Sequence, residues 1–185
     1  VANISKIFKA IFDSRRKIKI ICSGSSSLEI HSHLKESLAG RKFLYRVYPL
    51  NYDELKSSLP DYSLEEYLIF GGMPGLVSAF PPERKQQILN ELLGSYILKD
   101  VKSLIKEENI RAFNHLVYLL AQRQGSVLSV HSLAADVGLS AKAIHRYLDI
   151  LELTYVNYRI YSYSGNLGNE LKKSCKSYLY DLGVR

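Results

Sequence analysis

The sequence is poor in the residues that cross-link or anchor a chain. Its two cysteines, Cys22 and Cys175, lie far apart and lack the spacing of a metal site. This usage excludes a disulfide-rich secreted scaffold and fits a reducing, cytoplasmic compartment. No uncharged apolar run reaches the length of a membrane span, so no membrane contact is expected. The first residues predict an amphipathic helix interrupted by lysines rather than a signal peptide.

Two of the five histidines lie close together in the sequence, but their spacing gives no metal site. His31 and His33 fall in a predicted helix at a spacing of two residues, which directs them to different faces of that helix. No zinc or other metal centre is expected from them.

Positive charge is present but unevenly distributed. The net charge is +7, and residues 1–55 alone hold 10 basic and five acidic side chains, a net of +5. Residues 106–165 hold six basic and five acidic side chains, a net of only +1. The basic excess therefore lies mainly outside the part of the chain that looks most like a DNA reader.

That part is the stretch Ser129–Asn166, which predicts helix, turn, helix and two-stranded ribbon, the order of a winged helix-turn-helix. Ser129 or Ser132 would cap the first helix. Gly138 can adopt the positive φ that ends it, and Ser140 can cap the next helix. The ribbon, or wing, is expected between Thr154 and Tyr163.

The second helix of this motif, from about Ala141 to Leu151, has two distinct faces. Ile144, Leu148 and Leu151 have the spacing of a buried face, with Tyr147 at its edge. The opposite face is open to solvent or a ligand. The candidate nucleic-acid contacts are the basic and imidazole side chains of that face and the wing: Lys142, His145, Arg146 and Arg159.

The first 55 residues look like part of an α/β sheet. Residues 17–22 predict a strand that enters a covered sheet, and 43–48 predict a second strand. The first strand leads into a glycine-serine loop, residues 23–27, and a new helix capped by Ser26 with Glu29. Such a loop is either an anion site at a helix N-terminus or an ordinary strand-to-helix turn.

Residues 56–105 predict a helical connector. A capping box of Asn51 and Glu54 starts one helix, and Ser63 with Glu66 starts another that stops at Gly71. Residues 73–75 predict a bend, and a long helix is expected from residue 83 to about 105. Helix 110–122 follows. Residues 177–180 predict a strand near the end of the sequence with little to pair with. The predicted fold class is α+β, mostly helical.

Several of these pieces, in this order, resemble one family: the prokaryotic AAA+-superfamily ATPases whose core is followed by a winged helix and a nuclease-like C-terminal region of unknown function. No single piece is specific, and it is their order and spacing over nearly the whole chain that carry the resemblance. The matching stretches are Ile20–Ser27, Leu38–Arg41, Val47–Leu50 with Glu54, Gly71–Pro74, Arg146–Glu152 and Lys176–Gly183.

The resemblance implies roles for three residues. Ser23 or Ser25 occupies the place of the polar sensor residue that reaches toward the γ-phosphate or the attacking water. Arg41 occupies the place of an arginine near the nucleotide, where a permanent charge stabilises phosphoryl oxygens. Without the resemblance, Arg41 is equally well explained as a surface arginine before a strand. Asp181 matches an aspartate of the family and is predicted to be structural, as a strand-end or turn carboxylate.

The chain departs from the family where the chemistry would lie. It has no glycine-rich loop ending in Gly-Lys-Ser/Thr and no apolar strand ending in paired acids for magnesium. ATP and Mg²⁺ belong to the resembled full-length proteins, and no cofactor is expected for this chain. We therefore expect a middle fragment that by itself neither hydrolyses ATP nor cuts nucleic acid.

The resemblance divides the chain into four parts: an ATPase-core remnant (1–55), a helical lid or connector (56–105), a winged helix-turn-helix (106–165) and the start of a further domain (166–185). The predicted function is to couple nucleotide state to DNA or to a protein partner or neighbouring domain. The alternatives are a stand-alone winged-helix DNA-binding regulator and a pure protein–protein interaction module.

Overall fold

The computed structural model describes residues 4–14, 17–24, 40–77, 81–96, 105, 109–163, 165 and 174–184. Contacts divide the chain into two compact units, residues 1–47 and 48–185. The boundaries expected near residues 105 and 165 fall inside the second unit. The predicted fold class is confirmed, because helices dominate and the described strands form one small two-stranded sheet.

The first unit contains helix α1, Ile4–Asp13, as the apolar stripe predicted. The strands predicted at 17–22 and 43–48 are wrong, because the described residues there have no regular secondary structure. A strand requires a hydrogen-bonded neighbour, and no described segment pairs with either stretch. Their apolar side chains are exposed instead, with Ile21 at 80% and Val47 at 94%. The helix predicted from Ser26 lies outside the described residues.

Three short helices open the second unit. Helix α2 is Tyr52–Ser58, and its predicted capping box is confirmed in both directions. Helix α3 is Leu64–Phe70, capped by the Ser63 hydroxyl and ended by Gly71 at a φ of 75°. Helix α4 is Pro74–Val77, where a simple bend was predicted. A proline at the first helical position has its φ already set for a helix, which accounts for this difference.

Helix α5, Pro82–Tyr96, is the described part of the long helix that was predicted to reach residue 105. Ile105 itself lies in a bend, so the helix does not extend that far. One lysine of α5, Lys85, is 3% exposed and forms an ion pair with Glu66 of α3. Its ammonium also lies 5.2 Å from the ring centroid of Tyr62 and 5.5 Å from that of Phe70. These partners compensate the burial of its charge and fix α5 against α3.

Three helices form the main core. Helix α6 is Ile110–Gln122, helix α7 is Val130–Val137 and helix α8 is Ala141–Leu153. The first has the predicted bounds, and α8 runs two residues further than predicted. Their apolar faces meet in one cluster, in which Phe113, Leu116 and Ile144 are all 0% exposed. Burial of each such side chain stabilises the fold by about 1.5–3 kcal/mol.

A two-stranded antiparallel ribbon follows α8. Strand β1 is Asn157–Tyr161 and strand β2 is Cys175–Leu179, with Tyr158 opposite Tyr178. The sequence predicted both strands of the wing before residue 166 and left the strand near the end of the sequence without a partner. Both predictions are wrong: the two stretches pair with each other. Residues 125–128 extend the other edge of β2, since Gly125 and Leu128 donate to its carbonyls.

The short 3-10 helix Leu182–Val184 is fastened to the α3–α4 turn by what we call the glycine–aspartate clasp: Leu50, Gly71, Gly72, Asp181 and Gly183. The carboxylate of Asp181 accepts from the N–H of Gly72 and from the N–H of Gly183, each at 2.8 Å. Leu50 donates to the carbonyl of Gly72 at 2.8 Å. The prediction that Asp181 is a turn carboxylate is confirmed.

The clasp leaves no room for side chains at its glycines. A Cβ on Gly72 would overlap with the carbonyl of Leu50, and a Cβ on Gly183 would overlap with the carbonyl of Phe70. Burial raises the pKa of Asp181, although the two N–H donors by themselves lower it.

Candidate nucleic-acid interface

The outward face of α8 presents the predicted polar side chains. Its inward face is fixed by Ile144, Leu148 and Leu151, which are all buried. Tyr147, predicted at the edge, is also buried, at 3% exposure. Four residues on the opposite side of α8 are exposed, and they are the four polar residues that the spacing predicted there: Lys142, His145, Arg146 and Asp149.

The turn before α8 holds this face in place through its caps. Gly138 adopts a φ of 71° and ends α7. The hydroxyl of Ser140 then accepts from the N–H of Ala143, which starts α8. Both features follow the sequence prediction, and together they set the direction in which Lys142 and Arg146 leave the helix.

Arg159, the fourth predicted contact, is held inside the unit. Its guanidinium binds Asp149 at 2.7 Å and also pairs with Glu152, both on α8. Its side chain is only 12% exposed. Burial by itself lowers the pKa of Arg159, but the hydrogen bonds to Glu152 and Asp149 outweigh it and the pKa is raised. The positive charge of Arg159 is therefore used within the fold.

This ion-pair cluster of Arg159, Asp149 and Glu152 changes the charge of the α8 surface. The sequence places two acidic residues near the basic face, where they would repel a phosphate backbone. In the structure both carboxylates bind Arg159. The outward face then carries the cations of Lys142 and Arg146 and the imidazole of His145, beside the exposed carboxylate of Asp149 that is paired with Arg159.

A cleft of about 250 Å³ lies beside the start of α7. Leu120, Leu128 and Leu133 form part of its wall, together with the serines at 126, 129, 132 and 177. Arg123 also lines it, but its guanidinium pairs with Asp136 at 2.9 Å. The hydroxyls of Ser129, Ser132 and Ser177 in its wall also take part in hydrogen bonds of the fold.

A group of tyrosine side chains lies on and beside the ribbon, and their spacing in the sequence does not show that they form one unit. We call it the tyrosine strip: Tyr48, Tyr155, Tyr158, Tyr178 and Tyr180. The rings of Tyr158 and Tyr180 have centroids 4.8 Å apart, and those of Tyr158 and Tyr178 stack at 5.6 Å. Tyr48 stacks on Tyr180 at 5.2 Å.

Strict strand alternation from Tyr158 would direct Tyr155, three residues earlier, to the opposite face of the wing. Tyr155 has a φ of 58°, outside the strand conformation, and its ring contacts Tyr180 at 6.0 Å and Tyr48 at 6.2 Å. The alternating tyrosines at 178 and 180 were a signal in the sequence, but the register with β1 was needed to complete the strip.

The predicted nucleotide-sensing residues lie in or near the first unit. Ser23 falls in a stretch without regular structure, and Ser25 lies outside the described residues. The Nε of Arg41 is 3.5 Å from a carboxylate oxygen of Asp13. Its guanidinium carbon also lies 5.7 Å from the ring centroid of Phe12. Helix α1 thus orients Arg41, and its role at a nucleotide stays a prediction.

Two further findings concern ligands and membranes. Within the described part of the chain, no three His, Cys, Asp or Glu side chains lie close enough together to hold a metal ion. Every helix among those same residues is too short or too polar to cross a lipid bilayer.

Two protein-family models match this chain, and together they cover nearly all of it. Residues 61–185 match the family model described as "Domain of unknown function (DUF8612)", and residues 1–56 match the model described as "AAA domain". Residues 1–56 are therefore an AAA-like, ATPase-related region. No solved structure matches this chain.

Curated relatives are longer than this chain. An uncharacterized protein of Haemophilus influenzae is 26% identical over 179 residues, which covers 90% of this chain and 44% of that protein. One from Methanocaldococcus jannaschii is 25% identical, covering 89% and 41% respectively. One from Mycobacterium tuberculosis is 24% identical, covering 90% and 37%. The chain thus spans less than half the length of these relatives.

Proposed function

This chain belongs to the family described as a domain of unknown function (DUF8612), and from that premise we propose that it is part of an AAA-type ATP-binding protein. In this proposal residues 109–184 form a winged helix-turn-helix that couples the nucleotide state of the ATPase to DNA. The AAA-like region at residues 1–56 supports the first half of the proposal.

The ATPase half requires groups that this sequence does not contain. Ser23, Ser25 and Arg41 would sense a nucleotide, while ATP and Mg²⁺ would be bound through a phosphate loop and a magnesium strand elsewhere. The test is the sequence of the parent gene upstream of Val1, where a Gly-Lys-Ser/Thr loop is expected. We expect the 185-residue chain alone to show no ATP turnover, and clear turnover would contradict this assignment.

The order of elements supports the winged-helix half. Three helices, α6 to α8, share one core, and a left-handed glycine separates the last two. An antiparallel ribbon follows directly, with a third segment at the edge of β2. In helix-turn-helix proteins the second helix of the motif, here α8, lies in the major groove.

The observation that carries the DNA proposal is the pairing of Asp149 and Glu152 with Arg159. The single positive charge of Arg159 offsets one of the two negative charges beside Lys142 and Arg146 and so weakens the repulsion of a phosphate backbone. These two cations would provide phosphate contacts, and the exposed His145 lies between them on the same face. With two cations, we expect weak binding with a shallow salt slope, about −0.9 for each phosphate contact, and little dependence on sequence.

The experiment is a salt titration of the 185-residue chain on a generic DNA duplex. The Lys142→Ala/Arg146→Ala variant should weaken binding and reduce the salt slope by about one for each phosphate that is no longer neutralised. A Lys56→Ala/Arg84→Ala variant removes the same charge from α2 and α5 and is the matched control. No binding at low salt, or equal binding by the Lys142/Arg146 variant, would rule out α8 as the reader.

A protein partner is the second candidate, and one observation favours it. Arg159 is the wing residue expected to reach DNA, and its charge is used by α8. The low net charge of the region likewise suits an interface between proteins or domains. An Arg159→Gln variant tests the DNA candidate, because it leaves two carboxylates beside α8 without their cation and should weaken duplex binding. Duplex binding unchanged by that release would exclude α8 as the DNA contact and leave this face of α8 to the second candidate.

A further inference from the structure

We infer that the tyrosine strip on the outer face of the ribbon binds single-stranded nucleic acid, with bases stacked on its rings. This surface is separate from the outward face of α8, so the inference does not depend on duplex binding by that helix. It rests on the ring contacts, the two-faced character of the ribbon and the charges around it.

The ribbon has one buried and one open face. On the inner face, Asn157 is 0% exposed and Ser177 is 3% exposed, and their side chains hydrogen-bond to each other at 2.8 Å. On the outer face, Ile160 is 50% exposed. Tyr158 and Tyr178 are half-buried, so neither residue is sealed inside the core. The outer face is therefore a surface at which aromatic groups remain accessible.

The rings form one continuous row. Tyr178 stacks on Tyr158, Tyr158 contacts Tyr180, and Tyr180 stacks on Tyr48. Mutual contacts hold the rings in place, so little side-chain entropy is left to lose when a ligand stacks on them. Aromatic rows of this kind bind bases without selecting sequence, because every base has a π face.

The charges around the strip favour a polyanion. Lys176 is exposed on the outer face, opposite Ile160. The outer-face positions of the two strands contain no carboxylate, and Asp181, the next acid after β2, is buried within the clasp. Rings beside an exposed lysine, with no carboxylate at the outer-face strand positions, are complementary to bases joined by phosphates.

The strip should prefer single strands to duplexes. In a duplex the base faces are stacked on one another and cannot reach a protein ring, whereas in a single strand they are available. A docked protein would also cover aromatic rings, but its affinity would depend little on Lys176 and would not require a π face. The salt dependence and the response to ring chemistry therefore decide between these ligands.

The test is binding of a labelled oligothymidylate of about 15 nucleotides to the 185-residue chain, followed by anisotropy. The sequence has 14 tyrosines and no tryptophan, so quenching of tyrosine emission provides a second signal. A Tyr158→Leu/Tyr178→Leu variant keeps apolar packing but removes the rings. It should weaken binding by at least about fivefold for each base that can no longer stack on a ring.

Three further variants separate stacking from other effects. Tyr158→Phe/Tyr178→Phe keeps the π faces and should bind like the parent. Lys176→Gln should reduce the salt slope. Tyr118→Leu removes an aromatic side chain that is 60% exposed on α6 and should bind normally. Circular dichroism melting of each variant confirms that the fold is retained.

Several outcomes would overturn the inference. These are no oligothymidylate binding at low salt, equal binding by the leucine variant, or a preference for duplex over single strand at the strip. Loss of binding in the Lys142→Ala/Arg146→Ala variant with the leucine variant unaffected would assign the oligonucleotide to α8 instead. Failure of duplex binding on α8 with the strip active would reject the proposed function alone.

Discussion

The glycine–aspartate clasp provides the sharpest stability prediction. Replacing Asp181 by alanine removes a carboxylate that accepts from two buried backbone N–H groups, those of Gly72 and Gly183, at 2.8 Å each. The bond to Gly72 joins parts of the sequence 109 residues apart. The substitution therefore releases the 3-10 helix from the α3–α4 turn and leaves two donors without this acceptor.

The magnitude follows from the two bonds and the burial that opposes them. A hydrogen bond to a charged group contributes about 1.5–3 kcal/mol, so the pair sets a ceiling of roughly 3–6 kcal/mol. Burial of the carboxylate offsets part of this gain, as the raised pKa of Asp181 indicates. We expect Asp181→Ala to lower the free energy of unfolding by about 2–4 kcal/mol.

The assay is urea unfolding followed by circular dichroism, in which this destabilisation lowers the midpoint by roughly 1–2 M. Asp181→Asn keeps one acceptor oxygen and should fall between the parent and the alanine variant. Gly94→Ala in α5 meets no atom within 4 Å and is the matched control, expected to stabilise by about 0.5–1 kcal/mol. A destabilisation below about 1 kcal/mol for Asp181→Ala would refute the clasp as a stabilising feature.

Three other predictions concern the same unit. Because burial raises the folded-state pKa of Asp181, protonation of this carboxyl adds a pH-dependent increment of stability to that of the two hydrogen bonds. The increment is fully present below the unfolded pKa of about 3.9 and is lost as pH rises through the folded pKa. Parent and Asp181→Asn should therefore diverge in unfolding free energy toward acid pH, and parallel curves would contradict this. Gly72→Ala should destabilise by more than about 2 kcal/mol in the urea assay, since its Cβ overlaps with Leu50, and a neutral result would show that the turn can shift. Ser140→Ala should cost about 1 kcal/mol by thermal melting because the N–H of Ala143 loses its cap, and an unchanged melting temperature would mean that water replaces the hydroxyl.

The helices of the second unit were largely predictable from the sequence. The bounds of α6 were predicted correctly, and the caps at Asn51, Ser63, Ser129 and Ser140 are all present. Helix ends depend on side chains within about four residues and on a periodicity visible in the sequence itself. Local chemistry therefore suffices to locate them.

The strands were not predictable in the same way. Residues 17–22 have the composition of a strand but pair with no described segment, whereas 175–179 were expected to have little to pair with and are paired with β1. A strand exists only through its neighbour, and composition does not identify that neighbour. The same limit applies to Tyr155. Its positive φ breaks the strand alternation, so its ring lies with those of Tyr180 and Tyr48.

The candidate site shows a similar division. The exposure of Lys142, His145 and Arg146 on α8 follows from helical periodicity, and the structure places them as predicted. The sequence alone offered Arg159 as a further contact, because nothing in the order of residues shows that a wing arginine returns to the helix before it. Its partner Asp149 lies ten residues away and is brought close only when the ribbon folds back along α8.

The sequence by itself thus determined the α+β, mostly helical class, the two helices around Gly138 and the outward face of α8, since each depends on contacts within a few residues. Only the tertiary structure decided where β2 pairs, which charges Arg159 neutralises, that five tyrosines form one strip and that Asp181 closes the clasp. Each of these features depends on contacts between residues that are distant in the sequence. The free energy that favours those contacts arises from packing and burial in the complete unit.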